Sequence, residues 1–403
     1  MATSVTSTKT RPLDKHTLRH SHDLPLPKGP DVLDIRSSQE SLLHNLDSKI
    51  LEGLSQPQGS KSFPSLLLWG EKGQVLYDDV LEAPEYYPYR VEDELLQQRV
   101  DDIARKVAST GTDMLIELGA GNMTKTAQFL SAIDNYISSP LVYYALDVDQ
   151  ALLERSIVAL KRRVTFRHIE VRALFGTYDD GANWLASPEI AAYRRTLMFL
   201  GSSIGNDEQD AAVRFLSSFT QAPETGVPQN VAGFLLAVDG CQDAAKIEAA
   251  YDVPGGYSRR WVKQALEYAR ELLGEGIDRA EVDCIFDDNN WKFEGRWLPE
   301  RQRYQTYLTT TCSLTATIRG QTITLEEGER LPIISSGKWT RETVDGVSLK
   351  AGLSIEKSWK NPEFDYSEYS FSSSSANIRA KCGNRHLLAA AKPQEGGQWH
   401  CHY

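Results

Sequence analysis

Apolar residues fall into two alternating rhythms along the first two thirds of the chain. "VEDELLQQRVDDIARKVAST" (Val91–Thr110) places its apolar positions three and four apart, which predicts an amphipathic helix. It runs into the short apolar stretch "DMLIEL", read as a buried strand, and then into "TKTAQFLSAI" (Thr124–Ile133), a second helix. "LVYYALDV" (Leu141–Val148) reads as a strand ending in an acid, and "DQALLERSIVALKR" (Asp149–Arg162) as the next helix. "TFRHIEVRALFG", "TLMFLGSSIGN" and "GFLLAVDG" continue the series. Strands alternating with helices predict a parallel, doubly wound α/β sheet. "SQESLLHNLDSKILEGL" (Ser38–Leu54), behind a Ser N-cap, and "SRRWVKQALEYARELLGE" (Ser258–Glu275) predict further helices. Beyond them, "WKFEGRWLPERQRYQTYLTTTCSLTATIRGQTITL" changes to β-rich alternation, the mark of antiparallel strands.

This pattern divides the chain. Residues 31–90 with 241–337 form an expected substrate-binding α+β lobe, and 91–240 with 338–371 an expected Rossmann-like core. The polar, aperiodic ends, 1–30 and 372–403, are read as flexible tails. Of the 403 residues, 41% are hydrophobic and 25% charged, the profile of a soluble globular protein. Net charge is −11 with no Lys/Arg cluster, so no nucleic-acid partner is expected. No apolar run approaches the roughly 20 residues that span a bilayer, so no membrane association is expected. The first residues lack an apolar signal core, and the five cysteines are scattered without a CxxC pair. A cytoplasmic, monomeric enzyme with reduced thiols is the expectation.

The candidate chemistry starts at "LGAGNMTKT" (Leu118–Thr126), directly after a predicted strand. Ligands of parallel sheets bind beyond the strands' C-terminal ends, where Gly119 and Gly121 fall. The acid closing the next strand, Asp147, suits a ribose diol. A dinucleotide's pyrophosphate calls for a third glycine, and Thr124 stands in its place. The combination favours S-adenosylmethionine over NAD, with a glycine turn that holds no ligand as the plain alternative. No metal is called for, since His16, His20, His22, His400 and His402 all lie in the tails.

Several motifs in order resemble one family. They are "PEYYPYRVE" (Pro84–Glu92), "ELGAGNMTKT", "YYALDVD", "LFGTYDDGANWL" (Leu174–Leu185), "FLGSSIGN" (Phe199–Asn206), "AAYD" (Ala249–Asp252) and "EGERLPIISSGKWTRETV" (Glu327–Val344). Together they resemble the histidine-specific methyltransferases of the ergothioneine pathway and their fungal relatives that N-methylate prenylated tryptophan. The resemblance implies that Gly119, Gly121, Lys125 and Asp147 hold S-adenosylmethionine, with Lys125 near the donor's carboxylate. It implies that Tyr86, Gly201, Asn206 and Tyr251 grip the amine and carboxylate of a small-molecule amino-acid substrate, Tyr86 and Asn206 orienting the reacting amine.

Two positions depart from the histidine enzymes. Ile334 stands where they carry the Glu that holds the imidazole, while Ser336 matches their Ser. Trp69 stands where they have a tyrosine. Losing a carboxylate partner leaves an imidazole N–H unpaired at a cost of ~1–3 kcal/mol. The side-chain pocket is therefore expected to take an indole, as in L-tryptophan or a prenylated tryptophan. Histidine as substrate, or a non-catalytic donor-binding scaffold, are the alternatives.

Overall fold

The computed structural model describes residues 27–37, 46–121, 123–222, 225–226, 229–274 and 279–373. The strand β1 (Val32–Asp34) is followed by α1 (Leu46–Leu54), α2 (Glu71–Glu82) and α3 (Tyr87–Ala108). An alternating run comes next: β2 (Met114–Leu118), α4 (Thr124–Asp134), β3 (Leu141–Asp147), α5 (Gln150–Arg163), β4 (Ile169–Phe175), α6 (Tyr178–Ala186), β5 (Arg195–Phe199), α7 (Gln209–Thr220) and β6 (Val231–Val238). Helices α8 (Ala244–Tyr251), α9 (Tyr257–Leu273) and α10 (Arg279–Phe286) lead into β7 (Trp291–Leu298), β8 (Arg303–Thr310), β9 (Leu314–Ile318), β10 (Gln321–Leu325) and β11 (Arg330–Gly337). The described chain ends with α11 (Arg341–Lys350), β12 (Leu353–Lys360) and β13 (Ser367–Ser373).

The central sheet has eight strands in the order β1-β4-β3-β2-β5-β6-β13-β12. Pairing is parallel from β1 to β6 and antiparallel across β6, β13 and β12. Helices cover both faces, so strand residues are buried whichever way they point. All five residues of β2 and all eight of β6 are buried, which is why they read as unbroken apolar runs. The antiparallel strands behave differently: β9 alternates buried and exposed. They form a three-stranded sheet, β11-β8-β7, and a hairpin, β10-β9. Helix α9 packs its stripe of Trp261, Val262, Ala265, Leu266 and Ala269 beside α2. No helix among the described residues is long and apolar enough to cross a membrane.

Several boundaries differ from the expected ones. The helix expected from Val91 starts at Tyr87, because Pro88 in its first turn favours helix initiation. It thereby crosses the expected boundary at residue 90. Strand β1, expected in the second lobe, pairs in parallel with β4 at the edge of the core sheet. Ser372 and Ser373, expected in a tail, are the last residues of β13 and pair with Ser354 and Leu353. The helix expected from Ser38 is described from Leu46 onward, and its Ser N-cap lies outside the described residues, as does most of both tails.

One close backbone contact joins the turn after β5 to β11. A short 3-10 turn, Ser203–Asn206, lies against the end of β11. A Cβ added at Gly205 would meet the Gly337 carbonyl oxygen at 2.8 Å and its nitrogen at 3.1 Å. Neither is a flexible side chain that could step aside. Gly205→Ala should therefore lower stability by about 1–3 kcal/mol. Gly346→Ala, on α11 with open space around it, should instead stabilise by up to about 1 kcal/mol. Denaturant unfolding of the two variants checks the contrast, and equal effects would contradict it.

Candidate active site

A cavity of about 320 Å³ opens at the C-terminal ends of β2, β3 and β5 and is walled by α2, α3, α9, β8 and β11. All eleven residues singled out in the sequence line it: Gly119, Gly121, Lys125 and Asp147 towards the sheet, with Gly201 and Asn206 from the loop after β5, and Trp69, Tyr86, Tyr251, Ile334 and Ser336 from the other elements.

The sheet end is built by a loop of left-handed residues. Gly119 and Gly121 have φ of +67° and +52°, and Met123 has φ of 54°. A Cβ at Gly119 would meet the Tyr178 hydroxyl at 2.7 Å, and with its positive φ this favours glycine there. Met123 is the N-cap of α4 and supplies no side-chain cap, so the positive end of that helix faces the cavity lined by Thr124, Lys125 and Thr126. Asp147, the last residue of β3, accepts from the Gly121 N–H at 3.1 Å, the Val148 N–H at 2.8 Å and the Asp149 N–H at 3.2 Å. Burial raises its carboxyl above the ordinary value, and those N–H groups oppose the rise. Two carboxylate oxygens offer about four lone-pair directions. Asp147 thus braces the glycine loop and keeps acceptor capacity for a diol. Val148, Leu152 and Phe199 give an apolar flank beside it. This end suits a nucleoside whose tail is zwitterionic.

Lys125 stands across this end rather than projecting into it. Its ammonium pairs with the buried Glu92, donates to the Tyr89 carbonyl at 3.1 Å and lies 3.9 Å over the Tyr89 ring. The other Glu92 oxygen accepts from the Gly201 N–H at 2.5 Å. Behind the glycines, Glu117 accepts from Thr126 at 2.8 Å and Tyr143 at 2.5 Å. Burial pushes its carboxyl up to about 7.

The opposite end is aromatic. Trp69 meets Tyr77 edge-on at 5.0 Å and Trp261 at 5.4 Å. Tyr86 lies 5.7 Å from Tyr251, which stacks on Tyr304 at 4.9 Å. The Tyr86 and Tyr77 hydroxyls are 3.2 Å apart. Burial pushes Tyr77 up to about 12 and holds Tyr86 well above its ordinary value, so both remain protonated phenols. Gly201 and Ser202 turn the loop after β5 with φ of 74° and 57°. Asn206 ends the 3-10 turn, and its carbonyl accepts from Ser335 at 2.9 Å. Ile334 follows a bulge in β11 and is held by its carbonyl, which accepts from the Gln305 amide at 2.9 Å. Ser336 hydrogen-bonds Tyr251 at 2.7 Å, so the residue matched to side-chain recognition touches one matched to the amino-acid head.

Sequence reading missed Glu92, Glu117, Tyr77, Trp261, Asp239 and Lys338. Glu117 could have been found, since it lies two residues before Gly119 on a strand that is otherwise apolar. The Lys338–Asp239 pair spans 99 positions and leaves no local signal.

Comparison with known proteins agrees with this geometry. A family model for histidine-specific, S-adenosylmethionine-dependent methyltransferases matches residues 46–373. The chain is 34% identical over 343 residues to the N-methyltransferase imqF of Aspergillus flavus, covering 85% of this chain and 88% of that one. It is 32% identical over 358 residues to the L-tryptophan methyltransferase trpM of Psilocybe serbica, covering 83% and 95%. It is 28% identical over 345 residues to the 4-dimethylallyltryptophan N-methyltransferase easF of Claviceps purpurea, covering 84% and 97%. With a glycine loop, a strand-end acid and a family match across most of its length, the chain belongs to the histidine-specific, S-adenosylmethionine-dependent methyltransferases.

Proposed function

We propose that this methyltransferase acts on the α-amino group of an aromatic amino acid, L-tryptophan or a derivative such as a prenylated tryptophan. The observation that carries the reading is the makeup of the acceptor end. Trp69, Tyr77 and Trp261 form a contiguous aromatic wall, and Ile334 lines the cavity where the histidine enzymes carry a carboxylate. The relatives named for tryptophan and dimethylallyltryptophan support it.

S-adenosylmethionine supplies a methyl group on a sulfonium, which an amine can take up only through a free lone pair. Gly119, Gly121 and Asp147 would hold its nucleoside, with Lys125 beside its amino-acid tail. Tyr86, Gly201, Asn206 and Tyr251 would grip the head of the substrate, and Trp69, Ile334 and Ser336 would bound its side chain. What the protein contributes is orientation and exclusion of water. An α-amine has a pKa near ~8 in peptides and a little higher in a free amino acid, so a strong base is not obligatory.

Two outcomes test the reading. Asp147→Ala removes the carboxylate that braces the loop and would bind the diol. Its affinity for S-adenosylmethionine should fall more than about tenfold, since charge-assisted hydrogen bonds are worth ~1.5–3 kcal/mol. Calorimetry on the folded variant that finds wild-type affinity would remove Asp147 from the donor site. For the acceptor, the wild type should favour tryptophan over histidine. Ile334→Glu should shift the histidine-to-tryptophan ratio of kcat/KM towards histidine by at least about tenfold, because a site built around a polar partner discriminates against a ligand that cannot pair with it. A ratio that stays fixed would take Ile334 out of the pocket and the substrate reading with it.

A further inference from the structure

Beneath the acceptor end lies a buried ion pair with no part in the roles above. Lys338, directly after β11, and Asp239, directly after β6, are both 0% exposed. The Lys338 ammonium donates to Asp239 Oδ2 at 2.7 Å, to Tyr251 Oη at 2.7 Å and to Ser336 Oγ at 3.2 Å. Asp239 also accepts from the Tyr87 hydroxyl at 2.8 Å and from the Cys241 N–H at 3.0 Å. Burial alone would drive the lysine down, but Asp239 and Tyr251 together outweigh it and hold the lysine above its ordinary value.

An ammonium has three N–H donors and no lone pair. All three of those on Lys338 are used, so towards this cation Tyr251 and Ser336 can only accept. The two hydroxyls are 2.7 Å apart, and one proton lies between them. Two hydroxyls carry two protons, so one proton remains, and it cannot point at the lysine. It faces the cavity. A hydroxyl pair capped on its inner side by a donor-only cation presents one donor on its outer side. That surface matches an acceptor, above all a carboxylate, and mismatches an ammonium.

We propose that Lys338, paired with Asp239, is a positioning residue that occupies lone pairs of Tyr251 and Ser336, so that Ser336 donates to Tyr251 and the free proton of the pair, on Tyr251, faces the cavity as a donor and sets the direction in which the substrate lies. The carboxylate of the amino acid rests on the Tyr251 hydroxyl, and its amine turns to the Gly201–Asn206 loop. The inference rests on the amino-acid reading above and adds to it a cause for the orientation. It also places the exit of the amine's proton elsewhere, since hydroxyls that accept from an ammonium are poor bases.

The test uses two half-substrates and calorimetry on the full chain in the presence of S-adenosylhomocysteine. Indole-3-propionate carries the carboxylate without the amine, and tryptamine the amine without the carboxylate. The variant Lys338→Met/Asp239→Asn removes both charges together, leaving no lone buried ion. Tyr251→Phe removes that donor and leaves the ion pair in place. Both variants should bind S-adenosylhomocysteine as the wild type does. Both should lose about tenfold in affinity for indole-3-propionate, with tryptamine changing by less than about threefold, as expected for loss of hydrogen bonds to a charged group alone. Equal loss of both half-substrates, or loss of tryptamine alone, would overturn the proposal. If the double variant no longer binds S-adenosylhomocysteine, Tyr251→Phe decides by the same criterion. A wild type that methylates no aromatic amino acid would overturn the substrate reading and the inference with it. A wild type active on tryptophan whose variants do not separate the two ligands overturns the inference alone.

Discussion

A single buried carboxylate on α3 joins the two ends of the cavity. Glu92 pairs through one oxygen with Lys125, at the start of α4, and accepts through the other from the Gly201 N–H, in the loop after β5. The first partner belongs to the loop read as holding the donor, the second to the loop read as gripping the acceptor. A carboxylate taken out of water is costly unless it is paired and hydrogen-bonded. That cost makes the arrangement selective: Glu92 can be buried only when both loops are in place. A second acid nearby, Glu368, is fully buried on β13. Burial first, and then the charge of Glu92, holds its carboxyl well above the ordinary range, while Lys125 opposes the rise. Glu92 and Lys125 form the ion pair beside it.

The rest of the site follows from where α3 begins. Pro88 in the first turn starts the helix at Tyr87 and leaves Tyr86 as its N-cap, with φ of −76° and ψ of 74°. Tyr86 therefore faces Tyr77 and Tyr251 across the cavity, while Tyr87 turns to Asp239 beneath it. Neighbouring tyrosines serve different layers, one in the wall and one in the support. The support is the Asp239–Lys338 pair, which ties the end of β6, in the central sheet, to the end of β11, in the three-stranded sheet. In backbone, Gly205, in the turn after β5, meets Gly337 at the end of β11.

Much of this was legible in sequence where the signal is local. The strands β2, β3 and β6 are apolar because parallel strands are covered on both faces, and their boundaries matched the apolar runs closely. The glycine loop and Asp147 were legible because backbone conformation and strand-end position are written into short stretches. Helix α2 was not, because "EKGQVLYDDVLE" mixes polar and apolar positions without a strong stripe, yet it carries Tyr77 to the cavity. Strand β1 spans only three residues, too few for a periodic signal. The pairings of Glu92 with Gly201 and of Lys338 with Asp239 join positions 109 and 99 apart. Only the folded chain brings them together, so no window of sequence could have shown them.

In the proposed arrangement one cavity holds the donor against the head of an aromatic amino acid, with the ring at the far, aromatic end. The position of the transferred methyl group reports on it. The protein is incubated with L-tryptophan and S-adenosylmethionine labelled in its methyl group, and the product is fragmented by tandem mass spectrometry. All label is expected on fragments that retain the α-nitrogen. Label on the indole nitrogen or on a ring carbon would mean that the substrate lies the other way round, and would contradict it.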